Sequence, residues 1–294
     1  MLSAKVIERY RVTDGEKFKL KDYDPGDTGD VDFDKKDGKE ILEADVKRLS
    51  KLQEKLYAEG KWAILMVLQG IDTAGKDGVI KHVLSGVNPQ GCQVHSFKQP
   101  SHVELAHDFL WRCYVALPMR GNIGIFNRSY YEETIVVRVH KDLLEKQNIP
   151  PKLVTKDIWK QRFQDINDFE RHLARNGTVP LKFFLNISKE EQLKRLLARV
   201  DDPDKTWKFS PYDVAERKLW DQYQEVYEDT IRNTATKHAP WYVIPCDKKW
   251  FARLVVAGAL AEQMEALDLQ FPKVSDEDKA AIDKAHAELL TEKK

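Results

Sequence analysis

The sequence predicts an α/β/α sandwich, a parallel sheet covered by helices on both faces. Three observations predict it. Short apolar runs recur at 62–69 (WAILMVLQ), 92–97 (CQVHSF), 122–127 (NIGIFN), 179–187 (VPLKFFLNI) and 241–245 (WYVIP). Near-continuous apolar runs of strand length mark strands buried on both faces. Helical patterns at 76–85, 101–116, 156–176, 189–200, 211–234 and 248–267 separate or follow them, and strands alternating with helices imply crossover connections and parallel pairing. A glycine-containing polar turn follows the first run directly.

The remaining elements follow in order. Residues 1–38 are polar and rich in Gly and Asp, read as an N-terminal arm lying on the body, with a disordered leader as the alternative. Residues 39–59 place Ile41, Leu42, Val46, Leu49, Leu52 and Leu56 at helical spacing, so an amphipathic helix leads into a main domain spanning 39–267. Helix 211–234 carries Tyr212, Leu219, Trp220, Tyr223, Tyr227 and Ile231, a stripe read as core. Residues 268–294 are mostly charged and begin a capping signal at Ser275, so a solvated terminal helix is expected there.

Composition narrows the function. Lys plus Arg total 48 and Asp plus Glu total 48, a balance that argues against a general binder of nucleic acid or membrane surfaces. No stretch approaches the roughly 20 apolar residues of a membrane helix, so neither nucleic acid nor membrane is expected as a partner. The three cysteines, Cys92, Cys113 and Cys246, lack CxxC or metal spacing and are read as core residues of a protein in a reducing, cytoplasmic compartment. Positive charge for a polyanion has to be local.

The turn after the first strand is Gly70-Ile71-Asp72-Thr73-Ala74-Gly75-Lys76-Asp77-Gly78. It fits the G-x4-G-K phosphate loop, except that Asp77 stands where Ser or Thr is usual. Gly70, Thr73, Ala74, Gly75, Lys76 and Asp77 are the candidate phosphate binders: backbone N–H groups and a helix start surround the anion and Lys76 supplies a point charge. An ordinary βα turn is the alternative. Asp72 is the informative departure, because a carboxylate in a phosphate cradle repels its ligand unless a cation lies between them. Mg²⁺, which takes one or two carboxylates plus phosphate oxygens and water, fits that requirement. A loop-bracing Asx turn is the bland reading of Asp72.

The strand at 122–127 ends in Asn127-Arg128-Ser129-Tyr130-Tyr131-Glu132-Glu133. Asn127 can coordinate Mg²⁺ or orient its water, and Arg128 is placed to meet a transferring phosphoryl group. Glu132 either completes the metal shell or nucleotide site or pairs with an arginine, and Glu133 is read as a pairing residue. Arg195 and Arg199 lie four apart on helix 189–200, and DDPDKTWKFSP after it, with Lys205 and Lys208, reads as a lid, giving a helical lid around 189–215. As exposed lid residues, Arg195 and Arg199 should each be removable with little loss of melting temperature. Lys81, Lys98, Arg112 and Arg120 are candidates for a basic wall along a polyanion path.

The segments GIDTAGKDG, FKQPS, LWRCYVALP, IFNRSYYEE, LKFFLNISKEEQ, WKFS and APWYVIP together resemble the polyphosphate kinase 2 family over about residues 40–267. They most resemble the subgroup phosphorylating both AMP and ADP, which the Asn127 variant fits. The resemblance implies a P-loop kinase-like fold, inorganic polyphosphate as donor and adenine nucleotides as partners. It further implies Asp72 and Lys76 in the Walker A loop, Arg128 after the Walker B strand, Arg195 and Arg199 in the lid, and a homo-oligomer, dimer or tetramer. Residue chemistry alone stops at Mg²⁺-dependent phosphoryl transfer to or from a nucleotide. Two rivals stay open: a thymidylate-kinase-like enzyme using ATP, and a nucleotide-binding regulator whose loop Asp72 and Asp77 have disabled.

Overall fold

The computed structural model describes residues 2–292. Six strands run β1 Arg11–Val12, β2 Ala63–Gln69, β3 Cys92–Ser96, β4 Ile123–Asn127, β5 Thr178–Asn186 and β6 Trp241–Pro245. The helices are α1 Ala4–Glu8, α2 Lys35–Glu59, α3 Lys76–Val83, α4 His102–Leu105, α5 Trp111–Tyr114, α6 Val136–Val139, α7 Asp142–Glu145, α8 Ile158–Arg175, α9 Lys189–Val200, α10 Pro211–Lys218, α11 Trp220–Thr234, α12 Lys249–Glu265 and α13 Asp276–Thr291.

Strand order is β1-β6-β5-β2-β4-β3. The five predicted strands pair in parallel, but the sheet is not wholly parallel as expected. The polar arm folds back and adds the two-residue β1 antiparallel to β6, Arg11 opposite Tyr242. Residues of the arm, among them Ile7, Tyr10, Phe18 and Leu20, are buried.

Side chains of β2 alternate between two cores because strand side chains alternate between faces. Ile64, Met66 and Leu68 pack with Leu49 of α2, Val79 of α3 and Leu254 of α12. Leu65 and Val67 pack with Ile166 and Phe169 of α8 and Tyr227 and Ile231 of α11. Cys113 and Cys246 are buried and Cys92 half-buried, all three free thiols.

Two helical predictions need correction. Segment 101–116 is not one helix: Asp108 accepts the amide of Leu110 at 2.9 Å, a local bond that competes with helix continuation, and only the single turns α4 and α5 form. Segment 211–234 breaks at Leu219 into α10 and α11. Of its stripe, Trp220, Tyr223, Tyr227 and Ile231 are core, whereas Tyr212 is 79% exposed on α10.

The register aligns the carboxyl ends of the central strands. Leu68 lies opposite Asn127, Gln69 opposite Phe184 and Asn186 opposite Pro245. The turns leaving β2, β4, β5 and β6 therefore share one edge of the sheet, where ligands bind in open α/β sheets.

Beneath that edge lies a fully buried ion pair. Lys182 of β5 donates to Glu170 Oε2 of α8 at 2.7 Å, to the Tyr131 hydroxyl at 3.0 Å and to Thr234 O at 2.7 Å. The hydroxyls of Tyr130 and Tyr131 both donate to Glu170 Oε1 at 2.8 Å. All three ammonium protons of Lys182 are thus used, which a charge at zero exposure requires. Removing one charge strands the other: Lys182→Met alone should cost about 3–5 kcal/mol in denaturant unfolding. Lys182→Met with Glu170→Gln should cost clearly less than the sum of the two single changes, and additive costs would show that the pair is not coupled.

Candidate active site

The phosphate loop forms because β2 ends in Gly70 and α3 starts at Lys76. Gly70 has φ +154°, and a Cβ there would lie 3.0 Å from Leu185 O. Gly75 has φ +110° at the N-cap of α3, a conformation that only glycine adopts cheaply. Between them Thr73 is held at φ +68°, strain of the kind found at ligand sites. Lys76 is buried, its Nζ donating to Gly70 O at 2.5 Å. Burial, with a contribution from the nearby Arg128 charge, lowers the Lys76 amine to about 8, opposed by Asp72, Glu132 and Asp77.

Arg128 leaves the end of β4 at φ +64°, its amide donating to Leu68 O at 3.0 Å. Its guanidinium spans two carboxylates, Asp72 Oδ1 at 2.7 Å and Glu132 Oε2 at 3.1 Å. Glu132 and Asp72 raise its pKa and keep it charged. Asn127 donates to Asp77 Oδ1 at 2.8 Å, so the strand-end amide and the loop carboxylate are partners. Ser129 accepts from Gln69 Nε2 at 3.1 Å, and Tyr130 and Tyr131 anchor the following turn on the Lys182–Glu170 pair. Glu133 is buried against Arg162 at 3.0 Å and Gln147 at 2.6 Å, the pairing role expected for it.

Two cavities meet at this point. One, of about 590 Å³, holds Asp72, Thr73, Ala74, Gly75, Lys76 and Asp77 on its floor. Arg199, Lys205 and Lys208 come to it from the lid, and Lys249 and Arg253 from α12. The other, of about 640 Å³, mixes apolar side chains such as Phe109, Val136 and Leu143 with Glu132, His140 and Gln147. Asp72, Phe97, Lys98 and Arg128 line both.

Several sequence expectations change. Lys81 is exposed on α3 and lines neither cavity, because it lies more than a turn from the loop that α3 presents. Arg112 donates to Lys98 O at 2.8 Å, sits over Phe97 and lines the mixed cavity, not the cationic one. Arg120 donates to Asn176 O near the strands' amino ends, across the sheet from the site. Arg199 stands 4.0 Å from Asp213 in the lid, and Lys208 lies over the exposed ring of Trp207. Arg195 is not an exposed lid residue: it is 7% exposed and bonded to backbone carbonyls. Its removal should therefore lower the melting temperature, contrary to the expectation from charge pattern.

Lys249 and Arg253 escaped the sequence reading. Burial lowers the pKa of each, and the neighbouring Arg195 charge lowers both further. The available signal was position: Lys249 follows β6 by four residues, so its turn had to lie on the ligand edge. Among the described residues no group of three or more His, Cys, Asp or Glu side chains converges as a metal site. No helix among them is long and apolar enough to cross a membrane.

This geometry agrees with three comparisons. A family model described as "Polyphosphate kinase 2" matches residues 32–272. The chain is 49% identical over 269 residues to the ADP-polyphosphate phosphotransferase of Rhodopseudomonas palustris, covering 91% of this chain and 93% of that one. It is 47% identical over 267 residues to the AMP/ADP-polyphosphate phosphotransferase of Meiothermus ruber, covering 91% and 96%. The crystal structure of polyphosphate kinase 2 from Arthrobacter aurescens TC1 superposes with a TM-score of 0.86 at 41% identity, covering 95% of this chain and 96% of that one. With the phosphate loop, the Arg128 turn and the cationic cavity on one sheet edge, the chain belongs to the polyphosphate kinase 2 family.

Proposed function

We propose that the protein moves the terminal phosphoryl group of inorganic polyphosphate onto AMP and onto ADP, reversibly, with Mg²⁺, giving ADP and ATP. The observation that carries this reading is the meeting of two unlike cavities across the Asp72–Arg128 pair. The cationic cavity suits a donor made only of phosphate. The mixed cavity offers apolar surface for a base and sugar beside polar groups. A thymidylate-kinase-like enzyme needs a site for the base of its ATP donor, and the cations of α12 and the lid make that a poor use of the first cavity. The relatives' names also point to polyphosphate.

The acceptor's terminal phosphate is largely dianionic at pH 7, so no strong base is needed. What the chain supplies is position and charge. Lys76 and the loop amides hold the donor end, and Arg128, preset between Asp72 and Glu132, neutralises charge on the moving group. Closure of α10 and the loop joining it to α9 excludes water, which limits transfer to water. For the metal, Asp72 and Asp77, with Asn127 and Glu132 beside them, give a few hard oxygen ligands. Mg²⁺ would draw the rest of its shell from phosphate and water. Held by these residues, Mg²⁺ would supply neutralisation of phosphate oxygens that Asp72 otherwise repels. Three free thiols suit a cytoplasmic enzyme, and assembly into a dimer or tetramer is the companion proposal, read by light scattering.

Three experiments test this. Polyphosphate with AMP, then with ADP, and no ATP, should yield ADP and ATP by nucleotide chromatography. Turnover only with ATP as donor would overturn the reading. With its amine near 8 in the free protein, Lys76 is charged below that pH and neutral above it. The kcat/KM for polyphosphate should hold below pH 8 and fall above it, while Lys76→Arg removes the fall. Persistence of the fall in that variant would assign it elsewhere. Asp72→Asn should stay folded with activity down on the order of 10²-fold, partly restored by raised Mg²⁺. Full activity with unchanged Mg²⁺ dependence would make Asp72 a loop brace.

A further inference from the structure

Arg195 was expected to reach substrate from a mobile lid, and the structure gives it other work. Its Nε donates to Glu191 Oε1 at 2.8 Å. Nη1 donates to Thr73 O at 3.0 Å and Ala74 O at 3.1 Å. Nη2 donates to Cys246 O and to Asp247 O. A guanidinium has five N–H donors, and all five are spent inside the protein. The side chain borders the cationic cavity, but in this arrangement none of the five is left for a phosphate oxygen.

The partners come from three places that must agree for the loop to be in register: α9, the middle of the phosphate loop, and the turn between β6 and α12. That turn is itself pinned, since Asp247 Oδ1 accepts the amide of Ser188 at 2.8 Å and the Asp247 amide donates to Pro25 O of the N-terminal arm at 3.0 Å. The arm residue lies before residue 32, where the family match begins. Thr73, the loop residue whose carbonyl Arg195 holds, is also the one with strained φ. Held by Arg195, the Thr73 and Ala74 carbonyls are already occupied, and a carbonyl released to face the phosphate would repel it.

We propose that Arg195 is the positioning residue of the phosphate loop: it fixes Thr73 and Ala74 against the β6–α12 turn and does not itself touch the transferred group. Only a planar fork can bridge two separate pairs of carbonyls at once. Lysine keeps the charge and loses the bridge. Arg199, one helical turn further along α9, remains the lid arginine facing the donor.

The kinetic part of the test rests on the polyphosphate reading and the spectroscopic part does not. At a temperature where Arg195→Lys is fully folded, its kcat should fall on the order of 10²-fold, the scale of a misplaced reacting group. Hydrogen exchange of the 70–76 amides in the ligand-free variant should rise more than that of β5 or α8. Arg199→Ala should instead raise KM for polyphosphate and leave 70–76 exchange unchanged. In wild-type protein, ¹⁵N signals of the Arg195 guanidinium should exchange slowly and stay in place on titration with tripolyphosphate, while those of Arg199 shift. Near-normal kcat in Arg195→Lys overturns the proposal, as does a tripolyphosphate-induced shift of freely rotating Arg195 signals. Should Arg195→Lys not fold, the wild-type titration decides. A wild-type protein inactive with polyphosphate contradicts the functional reading, and the titration still judges Arg195.

Discussion

Arg128 must stand fully charged at the point where two cavities meet, and the site is organised around that demand. A guanidinium left between a buried lysine and a ring of further cations would be driven away, so Asp72 and Glu132 hold it from two sides. The same carboxylates oppose the desolvation of Lys76. Around Arg128 the charges therefore alternate, while the cavity beyond it, with Lys98, Arg199, Lys205, Lys208, Lys249 and Arg253, carries an excess of cations that the chain's overall balance hides. On the proposed function, an incoming phosphate would meet cations already in place, which would leave little reorganisation for the moment of transfer.

The scaffold carries that constraint downward. The turn after Arg128 is tied to Gln69 through Ser129 and to the core through Tyr130 and Tyr131, which end on Glu170 and Lys182. A buried ion pair is weak evidence for stability, and here it receives the two tyrosines that follow Arg128. On the other flank Arg195 and the arm hold the phosphate loop and the β6–α12 turn. The break at Leu219 separates exposed α10 from α11, which packs in the core.

Much of this was legible in the sequence, and the reasons are physical. Buried parallel strands write themselves as apolar runs, so β2, β4, β5 and β6 were readable to within a residue or two, whereas β3, also found, is a half-exposed edge strand. The phosphate loop was readable because its backbone shape demands glycines at fixed spacing. Residues whose role depends on distant partners were not. Arg195 looks like any surface arginine on a charged helix, and only the fold brings four carbonyls to it. Lys249 and Arg253 lie far along the chain from the loop they face. Strand β1 is two residues long in a polar arm, too short for any period to show. Helices 101–116 and 211–234 kept their periodicity across breaks made by one Asx bond and by one residue, Leu219, outside helical geometry.

The central claim is directional: phosphate chain in the cationic cavity, nucleotide in the mixed one, with Asp72 and Arg128 at the boundary. A crystal structure with AMP and a non-transferable polyphosphate analogue bound together tests it most directly. The account predicts the chain running from Lys76 toward Lys249 and Arg253, and the nucleotide phosphate reaching Arg128 from the side of Val136 and His140. A nucleotide base seated between the lid and α12, with the phosphate chain in the mixed cavity, would contradict it.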